Sequence, residues 1–259
     1  MAMAVLIRRA ASDWREGATR STRRTASATT ATISSAANNE GVQRGMRRWV
    51  DEFVVSHNIC PFAAKSEYAF RIFEGNRVDQ GALSFFVQHV LKTGEKKPSA
   101  ARYSSFLVFP YVDVFLRADD EGGHQRGDME FMGFYQEAID SCENYAGTPN
   151  MTFTDQQVTV MPFHPDFPKQ QHKLQQLDPS MFGGEEMMRS EARLHTTCAP
   201  FPTFHILRDS DLHDVRSIGE SDISRSVHSL LKRNDGTTKR LGLSKLQQMM
   251  ADYRGELER

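Results

Sequence analysis

Apolar side chains recur along this chain at two periods, and the periods take turns. From Val42 to Asn58 the positions Met46, Trp49, Val50, Phe53 and Val54 fall three and four apart, which predicts an amphipathic helix that Pro61 helps to stop. Tyr68 to Glu74 alternates instead, Phe70 and Ile72 on one face and Arg71 on the other, as a strand does. Helical spacing returns through Leu83, Phe86, Val87, Val90 and Leu91, between Asp79 as N-cap and Gly94 as stop. Ser105 to Tyr111 is a nearly unbroken apolar run, the pattern of a strand buried on both faces. A short turn of helix over Val112 to Arg117, a helix over Asp128 to Tyr145 and a third strand over Gln157 to Phe163 come next. Pro168 to Cys198 shows no sustained period and reads as a flexible flap. A fourth strand over Thr203 to Arg208 and helices over Ser221 to Lys232 and Leu243 to Glu256 close the pattern.

This order implies an α/β or α+β single domain, a mixed sheet of about four strands covered by helices, with a long irregular loop before the last strand. Right-handed crossovers make the first three strands candidates for parallel pairing. Residues 41–259 suffice for one core, and no linker rich in Pro, Ser or Gly divides them.

Composition changes the picture at the N-terminus. Residues 1–40 hold six Arg, no Lys, three acids and eleven Ser or Thr. Basic, hydroxylated and poor in acids, the segment matches an organellar transit peptide and is expected to be disordered. Location in a mitochondrial matrix or plastid stroma follows from that reading, and the cytoplasm if the segment is only a tail. It carries 6 of the 32 basic and 3 of the 33 acidic residues, leaving 26 against 30. A mildly acidic body without a basic stripe gives no footprint for nucleic acid. No apolar run reaches eighteen residues, so no membrane span is indicated. Cys60, Cys142 and Cys198 lie too far apart for a disulfide framework or a CxxC zinc motif, which suits a reducing compartment.

The candidate chemistry sits where strands and helices meet prolines and aromatics. His164 ends the third strand in Pro162-Phe163-His164-Pro165-Asp166-Phe167, and His205 begins the fourth in Pro200-Phe201-Pro202-Thr203-Phe204-His205-Ile206-Leu207-Arg208. Antiparallel pairing of those strands would bring the two imidazoles together, with side-chain parity compatible, as metal ligands or as a base and its orienter. The bland alternative for each is a buried histidine bonded to backbone. Cys60 in Asn58-Ile59-Cys60-Pro61-Phe62-Ala63 is either a reactive thiol or a small buried hydrophobe. The helix C-terminus before it disfavours a thiolate unless a cation or metal compensates. Arg71 and Arg208, both on strands, could hold a carboxylate or phosphate bidentately, or pair with nearby acids such as Glu74 and Asp209.

These same three blocks resemble, in order and separation, the signature blocks of the domain-of-unknown-function family 1415, over about Arg47 to Gly242. That family carries an Asn-Arg-Ser where this chain has Thr197-Cys198-Ala199, and the insertion Gly122 to Asp128 and the longer flap before Thr196 depart from it. The resemblance brings no defined activity. The residues themselves point to a small-molecule enzyme, a hydrolase or group transferase, with Cys60, His164 and His205 catalytic and Arg71 and Arg208 binding an anionic substrate. A zinc protein with Cys60, His164 and His205 as ligands, and a non-catalytic binding or assembly module, are the alternatives. The sequence leaves the oligomeric state open.

Overall fold

The computed structural model describes residues 35–60, 66–95, 102–117, 127–145, 158–177, 191–208 and 233–258. Four strands, β1 (Ser66–Ile72), β2 (Arg102–Val108), β3 (Val158–Phe163) and β4 (Thr203–Arg208), form one sheet in the order β1-β2-β4-β3. The strands with the longest apolar runs take the middle. Every residue of β4 is buried, as are residues 104–110 in and after β2. β3 carries Pro162, which cannot donate to a ladder, and lies at a margin. β1 pairs parallel with β2, while β4 runs antiparallel to both β2 and β3. The first three strands therefore do run the same way, but β4 inserts between the second and the third.

Helices α1 (Ser35–Arg48, continued by a π turn over Trp49–Val55), α2 (Gln80–Glu95), α3 (Gly127–Tyr145), α4 (Phe167–Leu177), α5 (Glu191–Leu194), α6 (233–241) and α7 (Leu243–Arg254) cover the sheet. Short 3-10 turns lie at Asp113–Phe115, His195–Thr197 and Gly255–Glu258. Strand alternation divides the core in two. On one face Val42, Met46, Trp49, Val50 and Phe53 of α1 meet Phe106, Val108, Phe201, Leu246, Met250 and Tyr253. On the other, Phe86, Val90, Phe131, Phe134 and Ala138 of α2 and α3 meet Leu107, Val158, Val160, Phe204 and Ile206. Each large side chain so buried contributes about 1.5 to 3 kcal/mol.

The α1 stripe lies close against the C-terminal helix because glycines make room for it. A Cβ on Gly41 would stand 2.6 Å from Glu256 O, and one on Gly45 would overlap the Tyr253 carbonyl. Arg48 fastens the same contact through Glu256, Nη1 to Oε1 at 2.7 Å, and lies over the Tyr253 ring.

Several elements differ from the sequence pattern, each for a local reason. α1 starts at Ser35, seven residues before its apolar stripe. The Asp79 cap forms as expected, its Oδ1 accepting from the amides of Gly81 and Ala82 at 2.9 and 3.1 Å. Gly94 does not end α2, which runs through it to Glu95. The expected flap from Pro168 contains α4, because Pro168 falls in the first helical turn, where a missing N–H costs nothing. The helix expected over Ser221 to Lys232 lies outside the described residues. α6 had no apolar stripe to announce it: its buried face is Asn234, Thr237 and Thr238.

Candidate functional site

Cys60 owes its position to the way α1 ends. Asn58 adopts a left-handed conformation, φ 52°. Its amide donates to Val55 O and that of Ile59 to Val54 O, both at 2.8 Å, the Schellman arrangement with Asn in place of the usual Gly. α6 then grips the exit: Arg233 donates to Asn58 O at 2.5 Å and Asn234 Nδ2 to Ile59 O at 2.7 Å. The helix stops, turns, and delivers a half-buried Cys60 beside the start of β1. The neighbour there is Tyr68, whose hydroxyl is pushed above the ordinary phenol range by burial first, then by Asp51 and by Cys60.

The register separates the two histidines. Met161 pairs with His205 and Phe163 with Thr203, so His205 shares its face with Phe163 and α1. His164, one residue beyond β3, turns to the opposite side. Its Nε2 donates to Phe115 O at 2.8 Å and its Nδ1 accepts the Asp166 amide at 3.1 Å, with Phe131 and Phe167 against the ring. Fully buried and bonded at both nitrogens, His164 ties the end of β3 to the 3-10 turn at Asp113–Phe115. Burial lowers its pKa, a shift the Phe115 carbonyl opposes.

His205 lies flat on Phe106, ring centroids 4.2 Å apart, and its Nε2 has no hydrogen-bond partner among the described residues. Burial alone pushes its pKa down to about 3, so the ring is neutral at physiological pH. Trp49 packs edge-on against Phe106 and Phe163, centroids at 6.0 and 5.8 Å, and its Nε1 is also buried without a partner among the described residues. Two orphaned polar atoms thus border the same two phenyl rings. Tyr68 and Phe70 extend this aromatic floor toward Cys60 by packing on Phe106.

The arginines are elsewhere. Arg71 is exposed on β1 and faces the α2 side, where its charge helps to depress the pKa of half-buried His89, behind burial as the main cause. Arg208 pairs with Val158 at the end of β4, is buried, and by alternation shares the α2 face with Phe204 and Ile206. Cys198, where the resembling family has its arginine, is buried, and its thiol donates to Pro165 O at 3.4 Å. Cys142 is on α3 and buried in the core of that face.

The cluster expected from sequence is therefore split: Cys60 and His205 belong to the α1 face, and His164, Arg71 and Arg208 to the other. The zinc centre of Cys60, His164 and His205 is not assembled, and among the described residues no three His, Cys, Asp or Glu gather as metal ligands. Among the described residues no helix is long and apolar enough to cross a membrane. Sequence reasoning missed Trp49, Tyr68 and the α6 grip. Asn58 was the available signal, as Asn is one of the few residues that tolerates the left-handed turn. No family model, no curated protein and no solved structure matches this chain.

Proposed function

We propose that this protein is a small-molecule enzyme, a hydrolase or group transferase, whose site lies on the α1 face with Cys60 as the reacting group. The observation that carries the reading is the pair of orphaned atoms, Trp49 Nε1 and His205 Nε2, around Phe106 and Phe163. A buried polar group without a partner costs roughly 1 to 3 kcal/mol, and a substrate offering an acceptor and a donor would relieve both. Neither Arg71 nor Arg208 shares the face of these atoms, so an anionic substrate bound there would not be held by those two arginines. Cys60, half-buried and held by α6, supplies the nucleophile at the rim.

Membership in the domain-of-unknown-function family 1415 is part of the same proposal. It is supported by the order and separation of the three blocks at Asn58–Ala63, Phe163–Asp166 and Pro200–Arg208, while Thr197-Cys198-Ala199 departs from the family pattern.

A non-catalytic binding module is the second reading, favoured by His164, whose two ring nitrogens are committed to backbone and not to proton transfer. A metabolite panel screened by thermal shift, on wild type and on Cys60→Ser and His205→Phe variants, separates the two. For the enzyme, hits lose their shift in His205→Phe and lose turnover in Cys60→Ser. Hits whose shift survives both variants would sink the site; binding without turnover in wild type would favour the module. Iodoacetamide should add to one thiol in the native protein, Cys60, since Cys142 and Cys198 are buried. Intact mass and peptide mapping read the outcome.

A further inference from the structure

α2 buries Phe86 and Val90, and along its flank Phe85, His89 and Lys92 recur four and three residues apart. Phe85 lies against Phe73, ring centroids 5.5 Å apart, which sets that flank beside β1. Because β1 and β2 are parallel, the helix that joins them runs the opposite way. One turn on from Phe85, about 6 Å, is His89; two residues back from Phe73, about 6.6 Å, is Arg71, on the same face. The two steps match, so Arg71 lies level with His89, and Lys92 follows one turn later.

His89 is held firmly in this row. Its Nδ1 donates to Phe85 O at 2.7 Å, the Phe85 ring lies 4.5 Å from its own, and Thr93 Oγ1 donates to its carbonyl at 2.8 Å. A carbonyl only accepts, so the neutral ring carries its proton on Nδ1 and presents Nε2 to a ligand. Arg71 and Lys92 are exposed, and among the described residues neither has a carboxylate at ion-pair distance. Arg48 differs, lying between Glu52 and Glu256 at 2.8 and 2.7 Å. The acids nearest in sequence to Arg71 are engaged or remote: Glu74 accepts from Asn39 of α1, and Glu67 precedes Arg71 by four residues, about 13 Å of strand. Burial first, then the charges of Arg71 and Lys92, hold the His89 pKa below its ordinary 6.5, against the Phe85 carbonyl.

We propose that Arg71, His89 and Lys92 form an oxyanion site on the β1 side of α2, which takes inorganic phosphate or the phosphate group of a small ester. Arg71 offers a planar fork, Lys92 a point charge, and His89 a hydrogen bond from Nε2 once that nitrogen is protonated. A bound anion relieves the repulsion among the three. It therefore raises the His89 pKa, and by reciprocity the site weakens as pH rises through that pKa. The site shares no residue with the α1 face and stands or falls without it.

NMR titration of the His89 ring in the full chain tests this, the signal being assigned by its loss in His89→Gln. Sulfate, phosphate and glycerol phosphate are added in turn at constant ionic strength, with chloride as the balancing anion. Each should bind with a Kd of about 1 mM or tighter and raise the His89 pKa by about half a unit or more. Sulfate keeps its charge across the range, so its weakening with rising pH reports His89 alone. Arg71→Gln and Lys92→Gln, both at exposed positions and checked for fold by circular dichroism, should each weaken binding roughly threefold or more. Tighter binding of glycerol phosphate than of phosphate would mark the ester as the ligand, and the reverse the free ion. A His89 pKa that ignores all three anions, a response that chloride reproduces, or binding that survives both substitutions unchanged overturns the proposal.

Discussion

His164 gives both ring nitrogens to the backbone, whereas His205, on the opposite face of the same sheet, keeps Nε2 unpaired among the described residues and rests flat on Phe106. The two are matched in sequence, each among prolines and phenylalanines, and matched in burial. They differ in what burial leaves them. His164 is a bracket, fixing a chain reversal by two hydrogen bonds. His205 fills space in an aromatic stack, and the stack would be more stable with a ring that has no nitrogen to desolvate. A polar group kept where it costs stability is the kind of residue that function retains.

The largest expected effect tests the bracket. His164→Ala removes a buried ring and orphans the Phe115 carbonyl and the Asp166 amide, which should cost about 4 kcal/mol. In a chain of this size that lowers the melting temperature by roughly 8 to 16 °C. A loss under about 1 kcal/mol would show that the bracket bears little weight.

The next effect compares the faces through pH. His205 has its folded pKa pushed down to about 3 from 6.5, and His164 is lowered too. The unfolded chain therefore takes up protons first as pH falls, and stability present above 6.5 is lost between 6.5 and about 3. His205 alone should remove about 2 kcal/mol on going from pH 6.5 to 5, at 1.36 kcal/mol per unit. Urea midpoints at pH 7.5 and 5 in wild type and His205→Phe check this: the variant should be flatter by that amount. Equal slopes would place a proton-accepting partner at His205.

The smallest effect is a gain. His205→Phe keeps the stack and deletes the orphaned nitrogen, and should raise stability by about 1 kcal/mol. A loss of similar size would mean that Nε2 is satisfied in solution by a buried water, and the site proposal would lose its support.

Where local period decided the outcome, the sequence was a sufficient guide: β4 spans Thr203–Arg208 as its pattern indicates, and Asp79 caps α2. Three things were beyond it. α6 buries Asn234, Thr237 and Thr238, whose fit depends on carbonyls such as Ile59 O, 175 residues away in the chain. Pro168 reads as a breaker unless it is known to fall in a first turn. The pairing of His164 with His205 failed on parity. Antiparallel neighbours share a face only at the observed register, and Met161, not His164, stands across from His205. A single residue of slip separates a shared site from two unrelated ones.

The glycine contact between α1 and α7 sets an order of events in time. The helix that carries Trp49 and leads to Cys60 closes on Tyr253 and Glu256, and the Arg48 to Glu256 bond spans 208 residues. At about 5 to 20 residues per second, roughly 10 to 40 seconds of synthesis separate its two partners. During that interval the apolar stripe of α1 waits without its cover, so the half of the molecule made first is among the last to be finished, and holdase chaperones have their longest opportunity at the beginning of the chain rather than at its end.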